Sequence, residues 1–527
     1  MKKTIYILLF AGLVAMSSCL DDLDQTPHIE DTTENVYSSA ANYKSVLAKL
    51  YAAFYTAGQE KGGNKPDLDS NSGQDYMRCY FNLQECGTDE IASTWLEGDK
   101  VSDLTYLSWD ANDPWVSDMY YRIFYNISLC NEFLRNAGDE QIAKFTESEQ
   151  ADIRHYRAEA RFLRALAYYH AMDLFRNIPF VTENDPVGTF IPPRYEAKQV
   201  FEFIEAELTQ IDTDLLSRGD CEYGRAPKSA AYALLAKMLL NAKVYINEER
   251  YTDCITNCKK VIAEGYTLEP EYQKLFNADN HKRTNEIIFA YAVDAEKAVT
   301  WGSTTYIICG AVGNSSDYQN PGDYGVTSGW GSFRVRGDIP KLFKAGDERA
   351  LFFTTGQTLE VDIVDDQSNG YFVTKWTNLT DAGEQASNTA EGGVNTDFPV
   401  FRLADIYLML AESVARGGSG SSTSEALGYV NDLRQRAFGS AYATVGKVTE
   451  SEMLLPNFFL NERAMELYWE CTRRTDLIRF GSFTSSTYRW EWKGGVRNGK
   501  AVDEKYNIYP IPATDLTANP NLYNENY

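Results

Sequence analysis

Few residues in this chain could carry histidine chemistry. The four histidines stand at 28, 155, 170 and 281, and none falls in an HExxH metal motif. There is no GxSxG elbow for a nucleophilic serine. His155 and His170 flank one predicted helix and read as surface or packing residues. Neither GxGxxG nor GxxxxGK[ST] occurs, so the chain offers no glycine-rich cradle for a phosphate. Carboxylates are abundant, and a glycosidase needs only two of them about 5 to 9.5 Å apart, so a surface glycoside hydrolase is one open reading. Glu462, Glu466 and Glu470 rise at four-residue spacing toward Arg474, with Arg463, Arg473, Asp476 and Arg479 interleaved. That spacing predicts a structural ion-pair ladder along one helix. Arg157, Glu159, Arg161 and Arg164 look the same. Cys254 and Cys258 are four apart on an amphipathic segment with no histidine nearby, which predicts small core residues and no metal site. No catalytic residue, metal or cofactor is expected.

Composition narrows the partners. The 527 residues carry 75 Asp and Glu against 50 Lys and Arg, a net charge of −25 that repels nucleic acid and anionic membrane faces. Neutral molecules such as sugars, basic proteins and cations remain. Lys2-Lys3, an apolar run from Ile5 to Met16 and Ser17-Ser18-Cys19 read as a signal peptide over residues 1–18. The run is too short to span a bilayer, so lasting membrane contact would come from a lipid on Cys19, and Asp21, Asp22 and Asp24 follow it directly. The other eight cysteines are scattered and do not form a disulfide framework.

The elements that position any site are mostly helical. Residues 19–38 are polar and acidic and read as a tether, with folded structure expected from about Ala41. Apolar positions Ala158, Phe162, Ala165, Tyr169 and Met172 keep a helical stripe over 152–175. Further helices are predicted over 41–55, 115–135, 198–215, 229–245, the stretch carrying Tyr251 to Ile262, 403–416, 424–437 and 457–474. Small residues on one helix facing bulkier ones on the next suit antiparallel hairpins of about 34 residues, like tetratricopeptide repeats. Over 277–400 the helical period fades and Gly, Ser, Thr, Asn and Asp rise. The expected organisation is therefore a mainly all-α single domain over 39–527. Its hairpins lie mainly in 152–276 and 401–480, under a loop-rich lobe from 58–114 and 277–400.

Those helices carry a family resemblance. The blocks beginning Arg157-Ala-Glu-Ala-Arg-Phe-Leu-Arg, Gly224-Arg-Ala-Pro-Lys-Ser, Phe401-Arg-Leu-Ala-Asp-Ile-Tyr, Asn461-Glu-Arg-Ala-Met-Glu-Leu and Arg474-Thr-Asp-Leu-Ile-Arg-Phe-Gly follow in order, closed by Tyr509-Pro-Ile-Pro-Ala-Thr-Asp-Leu. In that order they resemble the SusD/RagB family over essentially the whole chain. The last residues, Tyr523-Asn-Glu-Asn-Tyr, depart from the family's usual close and read as drift in a tail. The resemblance implies a tetratricopeptide-like scaffold beneath a ligand lobe, lipid-anchored at the outer membrane. It also implies capture of oligosaccharide, or in some branches peptide, for a SusC-like TonB-dependent transporter, without catalysis.

Within the family the chain is most similar to the starch-binding branch, through Pro66-Asp-Leu-Asp, Thr88-Asp-Glu, Gly302-Ser-Thr-Thr-Tyr, Thr327-Ser-Gly-Trp-Gly and Trp490-Glu-Trp-Lys-Gly-Gly. By that resemblance Trp95, Trp301 and Trp330 form an aromatic arc for a curved glucan, with Arg78 as a polar contact. Where the branch has a sugar-contacting asparagine this chain has Gly98, with Asp99 beside it. All three tryptophans stand in glycine-rich or polar loops, off any apolar helical stripe. An indole face can receive the CH face of a pyranose, and a guanidinium can donate a forked pair of hydrogen bonds to vicinal hydroxyls.

Overall fold

A computed structural model describes residues 33–63, 65–69, 74–315, 318–387, 389 and 392–527. Cys19 and the signal peptide lie outside the described residues. The main helices are α1 (Ala40–Ala52), α2 (Tyr76–Phe81), α3 (Pro114–Asn136), α4 (Glu147–Phe175), α5 (Ala197–Gln210), α6 (Lys228–Leu240), α7 (Tyr251–Ala263), α8 (Ser303–Gly310), α9 (Leu403–Ala415), α10 (Thr423–Phe438), α11 (Phe458–Leu467) and α12 (Arg473–Arg479). The sheets among the described residues are all two-stranded. Two of them join segments far apart in sequence: β1 (Ala92–Ser93) pairs with β3 (Phe333–Arg334), and β2 (Ile287–Tyr291) with β4 (Phe398–Arg402), both antiparallel.

The helices stack by sequential neighbours. α3 packs on α4 and α4 on α5; α6 packs on α7, α7 on α9, and α9 on α10. Ala230, Ala231, Ala233 and Ala236 of α6 are buried, and their small side chains let the bulkier Ile255 and Val261 of α7 approach closely. Cys254 and Cys258 lie in that buried seam, with Cys254 Sγ 4.0 Å from the Met409 carbonyl of α9. Order begins earlier than the expected tether allows. A short helix spans Thr33–Val36, and the Tyr37 ring packs edge-on against Tyr43 and Phe133. α4 also starts before residue 152, because Thr146 and Glu149 form a reciprocal capping box that satisfies the first amides.

The expected single helix over 457–474 is two. α11 ends at Leu467 and α12 begins at Arg473, with Trp469 and Cys471 at positive φ between them. Tertiary contacts override the local preference. The Trp469 amide and indole N–H donate to Glu90, and the Tyr468 carbonyl accepts from Lys375 Nζ at 2.6 Å. Glu462, Glu466 and Glu470 therefore do not form an ion-pair ladder along one helix but pair with other elements. Glu466 is fully buried and accepts from Arg402 at 2.7 Å, from Arg349 at 3.2 Å and from Arg436. Glu470 is held by Arg402 and Lys375, and Glu462 by Arg349 and Arg434. Burial would raise the Glu466 carboxyl, but Arg436, Arg402 and Arg349 hold it down to about 2. The charges of α4 likewise look outward to other elements: Arg164 pairs with Glu207 at 2.7 Å, and Glu159 with Arg225. His170 is buried, its ring shared with the Tyr76 hydroxyl at 2.8 Å, and burial lowers it to about 3.

One acidic pair in this core titrates in the opposite sense. Burial, and then the charge of Glu90, pushes Glu85 well above the usual carboxylate range, and burial raises Glu90 to about 8 against the pull of Arg473. Both carboxyls hold protons when folded that they release when unfolded above their ordinary value of 4.5. Stability should therefore fall as pH rises from 4.5 toward 8. Glu85→Gln should flatten that fall and gain about 1 kcal/mol or more at the alkaline end, read as melting temperature against pH. Parallel curves for variant and parent would contradict it.

Candidate functional site

Two segments far apart in sequence meet at one buried carboxylate. Asp75 caps α2, accepting from the Arg78 amide at 2.8 Å. The same carboxylate accepts from the Thr300 hydroxyl at 2.5 Å and the Ser303 amide at 3.3 Å. It therefore joins the start of α2 to the loop that carries Trp301. Only glycine fits at 302, because a Cβ there would lie 2.1 Å from Asp75 Oδ2. Burial raises the Asp75 carboxyl, opposed by the hydrogen bonds from Thr300 and the Arg78 amide. The second junction is β1 with β3, where Ser93 stands opposite Phe333. Beside it the Thr94 amide donates to the Ser332 carbonyl at 2.9 Å and its hydroxyl to the Gly331 carbonyl at 2.9 Å. That ladder sets the Trp95 loop against the Trp330 loop.

The three tryptophans lie together. Trp95 and Trp330 stack with centroids 5.8 Å apart at 24°, and Trp301 meets Trp330 at 6.3 Å and 54°. Trp95 and Trp330 are half-buried, whereas Trp301 is 43% exposed. Gly62 and Gly392, both at positive φ, bracket the Trp301 indole, and a Cβ on either would come within 3.2 to 3.3 Å of it. The result is an angled aromatic cluster, Trp95 and Trp330 near-parallel and Trp301 tilted against Trp330.

Arg78 occupies a different place from the one expected. It is only 5% exposed and sits beneath the platform. Its Nη1 donates to the Trp301 carbonyl at 2.9 Å and to Gln74 at 3.2 Å, and its Nη2 to Asp99 at 2.9 Å. The guanidinium also lies 4.1 Å from the Tyr306 ring centroid and 5.9 Å from that of Trp95. With these donors committed, Arg78 braces the platform instead of presenting an open fork to vicinal hydroxyls. Asp99 is its counterion, its side chain 24% exposed; burial raises that carboxyl against the pull of Arg78. The Asp99 carbonyl accepts from the Trp115 indole at 2.7 Å, which ties the loop to the first turn of α3. Gly98 faces open space, with nothing within 4 Å of a Cβ there. Tyr306 is the residue that sequence reasoning misses. It lies under both Trp95 and Trp330, at 6.4 Å from each, and its hydroxyl donates to Asn82 at 2.9 Å. It is the last residue of the Gly302-Ser-Thr-Thr-Tyr block, but nothing in its spacing marks it as the floor of the site.

If Asp75 pins these loops, Asp75→Ala should cost about 1 to 3 kcal/mol, since it removes a helix cap and a buried charged acceptor together. Amide hydrogen exchange should then accelerate over Gly302 to Tyr306. Unchanged exchange in that segment would show that the loop is held by something else.

Comparison with known proteins agrees with this architecture. A family model described as the SusD family matches residues 351–527, and one described as starch-binding and associating with the outer membrane matches residues 21–240. The starch-binding protein SusD of Bacteroides thetaiotaomicron is 32% identical over 100% of both chains. Among solved structures, a SusD superfamily protein of Parabacteroides distasonis superposes with a TM-score of 0.71 at 20% identity, covering 94% of this chain and 100% of that one. Surface glycan-binding protein A of Bacteroides thetaiotaomicron, in complex with laminarihexaose, gives 0.71 at 18% identity over 92% and 99%. The full-length identity, the helical scaffold and the matched blocks place this chain in the SusD family.

Proposed function

We propose that this chain captures oligosaccharide at the cell surface through Trp95, Trp301 and Trp330 and hands it to a TonB-dependent outer-membrane transporter. The observation that carries the reading is the aromatic surface itself: three indoles from three loops, one of them 43% exposed, braced from below by Arg78 and Asp75. Such a surface matches the apolar faces of pyranose rings. The angle between Trp301 and the Trp95–Trp330 stack suits a curved chain, and the identity to a starch-binding relative favours a starch-like α-glucan. Binding is not coupled to hydrolysis. The two acids at the platform are committed, Asp75 as a buried cap and Asp99 as the partner of Arg78, so neither is free to serve as a general acid. Arg78 and Asp99 pair with each other and so are not open to a peptide terminus, which favours sugar over the peptide-capture alternative. At the chain's start, Cys19 carries the lipid that holds the protein at the outer membrane.

Sugar binding sacrifices hydroxyl solvation, so affinities in the micromolar to millimolar range, about −4 to −8 kcal/mol, are expected. Trp330→Ala, which removes the ring shared by both contacts, should weaken maltoheptaose binding by at least about tenfold in calorimetry, one large aromatic contact being worth about 1.4 kcal/mol or more. Trp301→Ala should do so with little change in melting temperature, because its indole is the most exposed. Parent-like affinity in both variants would remove the platform reading. Separately, Cys19→Ala should move the protein from the membrane fraction to the soluble fraction after detergent-free washing. Full retention in a strain lacking the partner transporter would rule out the lipid anchor.

A further inference from the structure

A second aromatic cavity lies away from the tryptophans, along α3. It has a volume of about 480 Å³ and is open to solvent. Tyr120, Tyr121, Phe124 and Tyr125 line it together with Asp69 and Asp515. None of Trp95, Trp301 or Trp330 lines it. Trp115, at the start of α3, touches the platform through Asp99, and a helical rise of 1.5 Å per residue puts Tyr120 to Tyr125 roughly 8 to 15 Å further along that axis.

The walls are built, not incidental. Tyr120 is the buried base, packed against Phe124 at 4.6 Å and edge-on to Phe175 at 5.3 Å. Tyr121, Phe124 and Tyr125 are half-buried and turn ring surface toward the opening. The Tyr121 hydroxyl meets Thr514 Oγ1 at 2.6 Å, and that hydroxyl lies 3.3 Å from Asp515 Oδ2, so α3 and the C-terminal segment are locked across the cavity. The C-terminal wall is fixed in turn. Asn519 Nδ2 donates to the Pro192 carbonyl at 3.0 Å, and Asn524 pairs both ways with the Ile511 backbone at 2.8 and 3.0 Å. The final residues therefore shape this wall and are not an idle tail.

Lining chemistry selects the ligand class. Among the described residues no lysine or arginine lines the cavity, while two carboxylates, the Ser128 hydroxyl and Asn519 do, in a protein of net charge −25. Anionic ligands are repelled. Ring faces opposed by carboxylate acceptors suit a molecule with apolar faces and many hydroxyl donors, and the volume falls within the range of small-ligand sites. Asp67, which bonds the Tyr125 hydroxyl, is paired with Lys49 and so adds no free charge to that of Asp69 and Asp515.

We propose that this cavity is a second saccharide site, taking a short stretch of neutral oligosaccharide between the tyrosine face of α3 and Asp515. It stands on its own lining and shares only the class of ligand with the tryptophan platform.

The test uses the full-length mature protein with the platform disabled by Trp95→Ala and Trp330→Ala. Saturation-transfer NMR with maltotriose, laminaritriose and cellotriose, each at millimolar concentration, should still detect binding of at least one sugar. Adding Phe124→Ala should weaken that residual binding by about fivefold or more, and Asp515→Asn, which keeps the shape of the wall, by about threefold or more. The second substitution guards against a folding defect in the first. No residual binding in the background, or residual binding indifferent to both additions, overturns the proposal. So does a lysine-rich peptide that binds the background and is lost with Phe124→Ala while the sugars are not bound, which would assign the cavity to a basic peptide. If the parent also binds none of these sugars or maltoheptaose, the platform reading fails with it; if only the background is silent, the second site alone fails.

Discussion

The site depends on one buried carboxylate that joins the start of α2 to the Trp301 loop. Asp75 has no spare acceptor role: it caps the start of α2, holds Thr300 and fixes Ser303, and its own desolvation is tolerable only because those donors are present together. Arg78, one turn later, extends the same logic upward. Its guanidinium holds the Trp301 backbone, pairs with Asp99 and lies against Tyr306. A weakly binding surface gains most from being already in shape, since any ordering on binding is subtracted from a small total. Glycines complete the arrangement: at 62 and 392 a side chain would intrude on the Trp301 indole, and at 302 on Asp75.

Charge is used differently inside and outside this protein. The chain is strongly acidic overall, yet many of its arginines are buried against carboxylates, among them Arg349, Arg402, Arg463 and Arg473. Arg402 ends β4 and reaches Glu286 next to β2, Glu466 of α11 and Glu470 beyond it, so one guanidinium welds the irregular lobe to the helical stack. Such networks add little stability beyond what an apolar core would supply, but removing one member leaves charge stranded. Glu466 and Glu412 are both held near 2, so these pairs persist until strongly acid pH.

Much of the scaffold was legible from residue periodicity, and the reason is physical: a helix such as α7 buries one face, and burial writes a 3.6-residue stripe, whereas α4 beyond Ala158 and α9 are buried nearly all round. Where long-range contacts outweigh local preference the pattern misleads. The stretch from Leu467 to Arg473 keeps helical spacing, but Glu90 and Lys375 claim its backbone and open it. The site was legible in part. The tryptophans are marked by loop placement and by family blocks, whereas their convergence is made by Asp75 and the β1–β3 ladder, pairs separated by more than 200 residues. Arg78 shows the limit most clearly, since the family resemblance suggests a sugar contact while its 5% exposure and its bonds to Trp301 and Asp99 place it as a brace. Asn524, in a tail that reads as drift, turns out to hold a cavity wall through the Ile511 backbone.

The most direct test of the account is a crystal structure with maltoheptaose bound. The account predicts pyranose rings lying against Trp330 and Trp301, the Trp95–Trp330 stack unmoved, and the Arg78–Asp99 pair intact beneath. Sugar bound elsewhere with the three indoles bare, or a site that forms only by breaking Arg78 from Asp99, would contradict it.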